Sequence, residues 1–341
     1  MQHEITKPIP LLDAKGDLTE PGYAKRRLPV YRRADIRAGA LRIKEWDYYL
    51  IGNGRFALAL TIADNGYMGL DSVSLIELEE NWEITQSPMS VLPRGKVKLP
   101  ESSASGVSEH AGREHRLCFS VLGGGRRLLT AHMDSFGDKG ALEAYVELFD
   151  EPEESMVICT PFNKPGHFYF NQKINCMRAR GWVSCGGRTW TFDPADSFAV
   201  LDWGRGVWTY HNTWYWGSAS YLADGVPFGW NIGYGFGDTS AASENMLFYD
   251  GKAHKLSQVS FHIPGDEKDF LSPWTFSSDD GRFEMDFVPI LDRASCTDLK
   301  LIKSDQHQVF GRFTGRAVLD DGRVIEVKDF PGFAEKVENK W

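Results

Sequence analysis

The stretch that decides the fold is GVWTYHNTWYWGSAS, residues 206–220, in which five Trp and Tyr residues fall within nine positions. In an extended strand, successive side chains point to opposite faces. One face then carries Trp208, Tyr210, Asn212, Trp214, Trp216, Ser218 and Ser220. A broad aromatic face edged with hydrogen-bonding groups is typical of a ligand pocket, and also of a barrel core. The stretch therefore predicts a strand and leaves open whether its aromatic face lines a pocket or a core.

The segment FGWNIGYGFGD, residues 228–238, predicts a second strand with two unequal faces. One face would carry Phe228, Trp230, Ile232, Tyr234, Phe236 and Asp238, and the other Gly229, Asn231, Gly233, Gly235 and Gly237. A strand with an almost bare face is costly, so we expect the rings of the neighbouring strand or a ligand to lie against it. The glycine spacing matches neither the dinucleotide fingerprint nor a P-loop, so no nucleotide cofactor is predicted.

Turn signals recur along the rest of the chain at the short spacing of an antiparallel β-protein. Glycines at 123–125 and 186–187, and Asp-Gly pairs at 250–251, 280–281 and 321–322, separate strand-like runs. The aromatic content of 13% and the 34 glycines also suit β-architecture. The predicted fold class is therefore all-β, with barrels or sandwiches and few short helices.

The length of 341 residues allows one large domain or two ordinary ones. Residues 1–40 are polar and contain proline, which predicts an extended N-terminal arm. The segment TPFNKPG, residues 160–166, interrupts the strands, so we divide the remainder into a first β-unit at 41–175 and a second at 176–341. The final residues GFAEKVENKW, 332–341, predict a short C-terminal helix. A single interwoven domain is the alternative.

The net charge and the cysteine content indicate which classes of partner and which cellular compartment to expect. The formal net charge of -9 argues against a nucleic-acid partner. The five cysteines form no CxxC pair, which predicts reduced thiols. The N-terminal stretch lacks an apolar h-region and no run of 18 apolar residues occurs, so we expect no signal peptide, no membrane span and a cytoplasmic location. The sequence gives no indication of the oligomeric state.

The histidines and cysteines predict no metal site. The pairs His110/His115 and His254/His262, and also His167, have none of the strong zinc-ligand spacings. A GxSxG nucleophile elbow is also missing from the sequence. The prediction is a protein that works without a metal or other cofactor.

Four residues near the aromatic strand are candidate acids and bases: Asp202, His211, Asp238 and Glu244. Asp202 ends the strand-like run SFAVLDW, and a carboxyl beside tryptophans in a dry pocket has a raised pKa and can protonate a substrate. The alternative for Asp202 is a turn salt bridge with Arg205, and for His211 a hydrogen-bonded structural role. The candidate ligand-binding residues are Trp203, Arg205, Trp208, Tyr210, Asn212, Trp214, Trp216, Trp230 and Asn231.

Several segments resemble a bacterial domain-of-unknown-function family, and the likeness runs over most of the chain. They are RIKEWDYYLI (42–51), VLDWGRGVWTYHNTWYWGSAS (200–220), GYGFGD (233–238), SENMLFYDGKAHKL (243–256) and the terminal GFAEKVENKW. That family is distantly similar to AttH-like and carotenoid-hydratase-like proteins, whose wider group includes hydratases, cyclases and Diels–Alder-type cyclising enzymes. The resemblance implies two lipocalin-like (calycin) β-barrels packed side by side around a hydrophobic ligand site. It also implies that Asp202, in DWGRG, matches the aspartate that protonates an alkene in the hydratases.

Three functional hypotheses are therefore carried forward. The first is binding of an apolar or aromatic small molecule with metal-free acid–base chemistry, namely hydration, isomerisation or cyclisation by a cofactor-independent lyase or isomerase. The second is a non-catalytic lipid or hydrophobe carrier that uses the same pocket. The third is a glycan-active β-sandwich in which Glu284 and Asp286, two positions apart on one strand face, act as paired acids. For that pair, an exposed strand face is the alternative interpretation.

Overall fold

The computed structural model describes residues 2–298 and 303–340, so residues 1, 299–302 and 341 lie outside the description. The chain is almost entirely β-structure. The strands, in chain order, are β1 Ile9–Pro10, β2 Gly22–Ala24, β3 Pro29–Val30, β4 Ile43–Gly52, β5 Phe56–Asp64, β6 Met68–Glu77, β7 Trp82–Gln86, β8 Met89–Val91, β9 Val107–Ala111, β10 His115–Gly123, β11 Arg126–Met133, β12 Leu142–Phe149, β13 Met156–Pro161, β14 Phe168–Cys185, β15 Arg188–Phe192, β16 Phe198–Val207, β17 His211–Ala223, β18 Val226–Tyr234, β19 Met246–Tyr249, β20 Lys252–Lys255, β21 Val259–His262, β22 Trp274–Ser278, β23 Phe283–Asp298, β24 Lys303–Val318 and β25 Val324–Lys340. Short helical turns occupy Arg33–Asp35 and Pro264–Glu267. Across the described ranges, no helix has the length and apolar character needed to cross a membrane.

Two large antiparallel sheets make up the fold. The first has 14 strands, with the main order β7-β6-β5-β4-β16-β14-β12-β11-β10-β9, to which β2, β8, β13 and β15 add. The second has nine strands in the order β20-β19-β18-β17-β25-β24-β23-β22-β21. Each sheet curls into a half-barrel, which confirms the all-β, two-barrel prediction.

The chain passes from the first sheet to the second between Val207 and His211. The predicted division at 175/176 falls inside β14, a strand that pairs with β12 and β16 of the first sheet on both sides of that point. At this position Cys176 has a positive φ of 64° and the register shifts between Ile174 and Met177. A β-bulge of this kind bends a strand without ending it, and the TPFNKPG segment only connects β13 to β14 within the first sheet, so neither feature marks the passage between the sheets.

The N-terminal segment is packed against the first sheet rather than extended away from it. Strand β2 pairs with β13, and Ile5, Leu11 and Tyr31 are buried in the first core. Arg33 forms an ion pair with the buried carboxylate of Glu45. The predicted arm, apart from Met1 outside the described residues, therefore contributes apolar surface to the fold.

The predicted C-terminal helix is wrong, because residues 324–340 form the strand β25. β25 pairs with β17 on one side and with β24 on the other. Phe333, Glu335 and Val337 are buried at alternate positions, which is the period of a strand. Trp341, the last residue of the predicted helix, lies outside the described residues.

Each sheet has its own apolar core, and a further apolar layer joins the two. In β5, Leu58 and Leu60 belong to the first core, whereas the alternate residues Ala57 and Ala59 contact the second sheet. We call the contact zone between the sheets the seam. It is built around Tyr48, Ala57, Ala59, Ile76, Trp216, Leu291, Phe310 and Phe333.

Candidate active site

Two rows of side chains face each other across the seam. In the first sheet, the register of β14, β16 and β4 places Lys173 beside Asp202, and Asp202 beside Tyr48. In the second sheet, the register of β17, β25 and β24 forms the opposing row. That row consists of Trp216, Glu335 and Gln308. Together with Glu244, these six residues form what we call the seam cluster.

Direct contacts join the two rows. The Lys173 Nζ lies 4.6 Å from the centroid of the Trp216 ring, within the range of a cation–π interaction. The Tyr48 hydroxyl lies 3.4 Å from the Gln308 side-chain oxygen, and the Tyr48 and Trp216 rings meet edge to face at 5.9 Å. The seam cluster is therefore a single network that spans both sheets.

Lys173 is the buried cation of the network. Its Nζ lies 2.9 Å from Glu244 Oε2, 3.9 Å from Asp202 Oδ1 and 3.1 Å from the Tyr169 hydroxyl. Burial disfavours the ammonium ion, but the Asp202 and Glu244 carboxylates outweigh it and hold the pKa of Lys173 well above its ordinary value. One lysine charge is thus shared between two carboxyl groups, and Glu244 holds the shorter contact.

Asp202 is the less neutralised of those two carboxyl groups. The side-chain amide of Asn171 donates a hydrogen bond to Asp202 Oδ1, and the Trp46 side chain also donates to the carboxyl. Burial nevertheless raises the pKa of Asp202, against the opposing effects of Lys173, Asn171 and Trp46. Asp202 is therefore easier to protonate than an ordinary aspartate.

Glu335 is a second buried carboxyl group, and it faces Asp202 from the other sheet. It accepts a hydrogen bond from Trp214 Nε1 and another from Gln308 Nε2, each at 3.0 Å. Burial raises the pKa of Glu335 to about 7, and the charge of Asp202 adds to the effect. A carboxyl group with a pKa close to neutral can both give and take a proton at physiological pH.

A group of aromatic rings packed edge to face borders the carboxyl groups of Asp202 and Glu335. Phe236 packs edge to face against Tyr169, Trp208 and Trp214, at centroid distances of 4.8, 4.8 and 5.3 Å. Trp46 packs against Trp208 at 5.2 Å. Gly204, opposite Trp46 in the register, leaves the space that the Trp46 ring fills, because any side chain there would collide with that ring. The close approach brings the Trp46 indole to Asp202.

An apolar cleft of about 60 Å³ adjoins the seam cluster. Five of its lining residues stand two positions along the same strands from cluster members. These are Leu50, Val200, Ser218, Phe310 and Phe333, which follow or precede Tyr48, Asp202, Trp216, Gln308 and Glu335. The other lining residues are also uncharged. The carboxyl groups of Asp202 and Glu335 therefore stand two positions along their strands from residues that line an apolar space.

The structure brings together six of the residues singled out in the sequence. Asp202, Glu244, Asn231, Trp208, Trp214 and Trp216 lie in the seam or at its border. Asn231 accepts a hydrogen bond from Trp216 Nε1 at 2.7 Å and donates one to the Glu244 backbone oxygen. The bare face of β18 is covered from the side of the seam, since the Glu244 carboxyl lies against Gly233. On the same face, Gly229 lies against the Cys176 Sγ.

Trp203 and Arg205 lie on the opposite face of β16 from Asp202. The turn implied by an Asp202–Arg205 salt bridge is absent, because β16 continues through these residues to Val207. Arg205 is fully buried inside the first sheet and pairs with Asp47 at 3.0 Å, while Trp203 belongs to the first core. The alternative of an Asp202–Arg205 salt bridge is wrong for the same reason, since residues three apart on a strand point to opposite faces.

The remaining sequence candidates lie away from the seam cluster. β17 begins only at His211, so Tyr210 precedes the strand, and it is half exposed. His211 is exposed and contacts Glu338 at 3.2 Å. Asp238 lies on an exposed loop, where the Ser240 backbone N–H lowers its pKa. Asn212 is bonded to Thr209 in a local turn, and Trp230 is buried in the second core.

Sequence reasoning missed Lys173, Glu335, Trp46, Tyr48 and Gln308. A signal for Lys173 exists in NQKIN, residues 171–175, where four polar side chains fall within five positions directly after the aromatic run Phe168–Phe170. Buried polar side chains in a central strand need partners, which makes such a pattern a marker of a site. Glu335 was hidden by the prediction of a helix.

The family comparison covers nearly the whole chain. The model of the family described as "Domain of unknown function (DUF2804)" matches residues 2–341. The chain belongs to this family. No curated protein matched the DUF2804 chain.

Three solved structures are similar to this chain at low sequence identity. An AttH candidate from Nitrosomonas europaea is 13% identical, with 88% of this chain and 92% of that chain covered and a TM-score of 0.49. Kievitone hydratase from Nectria haematococca is 10% identical, with 98% of both chains covered and a TM-score of 0.46. CghA is 13% identical, with 100% of this chain and 97% of that chain covered and a TM-score of 0.49. At these values the function has to be argued from the site of this chain.

Proposed function

We propose that the seam of this DUF2804 protein binds an apolar or aromatic small molecule and that Asp202 and Glu335 perform acid–base chemistry on it. The observation that carries the proposal is the placement of two buried carboxyl groups with raised pKa values beside an apolar cleft. Buried carboxyl groups with perturbed pKa values cluster at functional sites. The chemistry needs no metal or nucleotide at this site.

The reaction class is hydration, isomerisation or cyclisation of an unsaturated substrate. A protonated carboxyl group gives its proton to one carbon of a double bond, and the cation that develops is stabilised by the face of Trp214. In a hydration, the oxygen of water then bonds to the neighbouring carbon, and the second carboxylate takes the released proton. Lys173 keeps its charge throughout and orients Asp202 and Glu244.

Substrate binding requires the seam to open further. Pockets for small organic ligands have volumes of about 300–1,000 Å³, whereas the cleft measures about 60 Å³. The cleft runs between the two sheets, beside Gly52, Gly54 and Pro331. The proposal therefore includes a widening of the cleft at this end when the substrate binds.

A second candidate function is a carrier that binds an apolar molecule without converting it. The uncharged lining of the cleft favours this candidate, because a ligand confined to the cleft touches none of the acids. The glycan-active candidate has less support. Glu284 and Asp286 lie on an exposed face of β23, where Glu284 is ion-paired with Arg316 at 2.7 Å, and neither residue lines the cleft.

Native mass spectrometry of the protein purified from its own host, followed by organic extraction, tests the binding proposal. We expect an apolar or aromatic compound to co-purify and to change the tryptophan fluorescence when it is added back to stripped protein. Ala57→Leu fills the cleft and is expected to weaken rebinding by about tenfold or more, since overpacking and lost space both oppose the ligand. Ala141→Leu, at an exposed position, is the matched control. If nothing co-purifies and a panel of lipids and terpenoids leaves the fluorescence unchanged, the proposal is wrong.

A further inference from the structure

Three side chains that are distant in sequence converge inside the first sheet. Asp71 Oδ2 accepts hydrogen bonds from His110 Nδ1 and from His115 Nε2, the latter at 2.8 Å. The ligand atoms of the three residues all lie within 4.8 Å of one another. Asp71 is buried, while His115 and His110 have 11% and 28% of their side-chain surface exposed. The group is anchored on one side and reaches solvent on the other.

The topology explains why sequence spacing gave no sign of this group. His110 lies on β9 and His115 on β10, at one end of the curled first sheet, whereas Asp71 lies on β6, near the other end. The Asp71 side chain lies on the same face of the sheet as Val73 and Leu75, which belong to the first core. The His115 side chain likewise lies on the same face as Leu117 of that core. The three residues therefore meet where the curvature of the first sheet brings β6 and the β9–β10 hairpin together. They lie on the opposite face of the sheet from Asp202.

The charge partners of Asp71 are both histidines. Within residues 2–298 and 303–340, Asp71 has no ion pair with a lysine or an arginine, and its charged partners are the two histidines. A buried carboxylate is stable only when it is paired with a cation or coordinates a metal. A divalent cation at the point where the three ligand atoms meet is such a partner.

We infer that Asp71, His110 and His115 form a site for a divalent transition metal of the zinc class. Zinc binds histidine nitrogen at about 2.0–2.1 Å and carboxylate oxygen at about 2.0–2.2 Å, so tetrahedral ligands stand about 3.3 Å apart. The Asp71–His115 separation of 2.8 Å reaches that value through small side-chain rotations. Each imidazole offers its lone pair once its proton moves to the other ring nitrogen.

The donor set decides the class of metal. Two imidazoles and one carboxylate suit Zn²⁺ and its transition-metal neighbours, whereas Mg²⁺ and Ca²⁺ prefer oxygen ligands. Three protein ligands leave a fourth position for water on the exposed side of His110. Because the ligands come from both ends of the first sheet, the bound metal fastens β6 to the β9–β10 hairpin and stabilises the closed half-barrel.

Zinc titration of untagged, chelator-treated protein by isothermal titration calorimetry tests the site. We expect one Zn²⁺ per chain and a rise in the melting temperature on binding. Loss of an outer-shell partner alone weakens metal affinity about 10–100-fold, so Asp71→Asn and His115→Ala are each expected to weaken zinc binding by about 100-fold or more. His132→Ala is the matched control, because His132 lies nearby in the same sheet and contacts Asp134 and Glu143 at the surface.

Cobalt substitution of the wild-type protein provides a readout that does not depend on the variants folding. We expect visible ligand-field bands at one Co²⁺ per chain and no thiolate charge-transfer absorption, since the site contains no cysteine. Absence of stoichiometric zinc uptake by the wild type would overturn the inference. So would equal uptake by wild type, Asp71→Asn and His115→Ala, or a cobalt spectrum that shows thiolate ligands.

Discussion

Replacing Lys173 with methionine is expected to lower the free energy of unfolding by about 3–5 kcal/mol at neutral pH, the usual result of breaking a buried ion pair on one side. Lys173 is the buried cation that faces both Asp202 and Glu244. Methionine keeps most of the apolar volume of the side chain but leaves the two carboxyl groups without their shared charge. The free energy of unfolding is measured by urea denaturation.

The loss should shrink in acid. As the pH falls through the raised pKa of Asp202, that carboxyl group takes up a proton and no longer needs Lys173. Lys336→Met is the control, because Lys336 pairs with Glu267 near the surface and such pairs contribute at most about 1 kcal/mol. Equal losses in the two variants would show that the seam lysine is not a buried counter-ion.

Glu335→Gln is expected to change how stability depends on pH. The pKa of Glu335 is about 7 in the folded protein against an ordinary value of 4.5, so between these values the folded chain holds a proton that the unfolded chain releases. The contribution of Glu335 to the free energy of unfolding therefore falls as the pH rises from 4.5 to 7, by about 3 kcal/mol in total. Glutamine does not titrate and lacks this fall. In urea denaturation between pH 4 and 8, the free energy of unfolding of the variant, relative to that of the wild type, should therefore rise by about 3 kcal/mol as the pH increases.

Glu338→Gln, three residues along the same strand, is the control for the pH experiment. The hydrogen bond from Lys303 lowers the pKa of Glu338, so its stabilising effect is present above its ordinary pKa and is lost as the pH falls. The control should therefore show a small change of opposite sign. A Glu335→Gln variant that follows the pH profile of the wild type would contradict the raised pKa of Glu335.

The fold class followed from local patterns because turn residues and alternation act within a few positions. Recurrent glycine turns and the aromatic run at 206–220 indicated antiparallel strands, and the strand of that run is present from His211 onward. The division between sheets did not follow, because the polar segment at 160–166 only connects β13 to β14 within the first sheet. The helix predicted at the end of the chain was wrong for another reason. Pairing on both edges of β25 overrides a weak helical pattern.

The candidate site was predictable only in part. Asp202 and the tryptophans of β17 could be selected because they lie in one short stretch. Lys173 and Glu335 come from β14 and β25, and only the pairing register brings them to Asp202. For Arg205, closeness in sequence suggested a contact with Asp202 that does not exist. Side chains alternate along a strand, so Arg205 lies on the other face of β16 and pairs with Asp47. Asp71 and its histidines likewise meet through sheet curvature.

Turnover of the recovered ligand by wild type, Asp202→Asn and Glu335→Gln tests the central claim most directly. Binding is measured in parallel by tryptophan fluorescence, and Glu338→Gln is the matched control. Acid–base groups contribute about 10²–10⁴-fold to rates, so each seam variant should lose at least about 100-fold in turnover while it still binds the ligand, and the control should keep its rate. Undiminished turnover in both seam variants would contradict the proposal and make the seam cluster a structural network. Binding without conversion by the wild type would contradict catalysis and leave the carrier function.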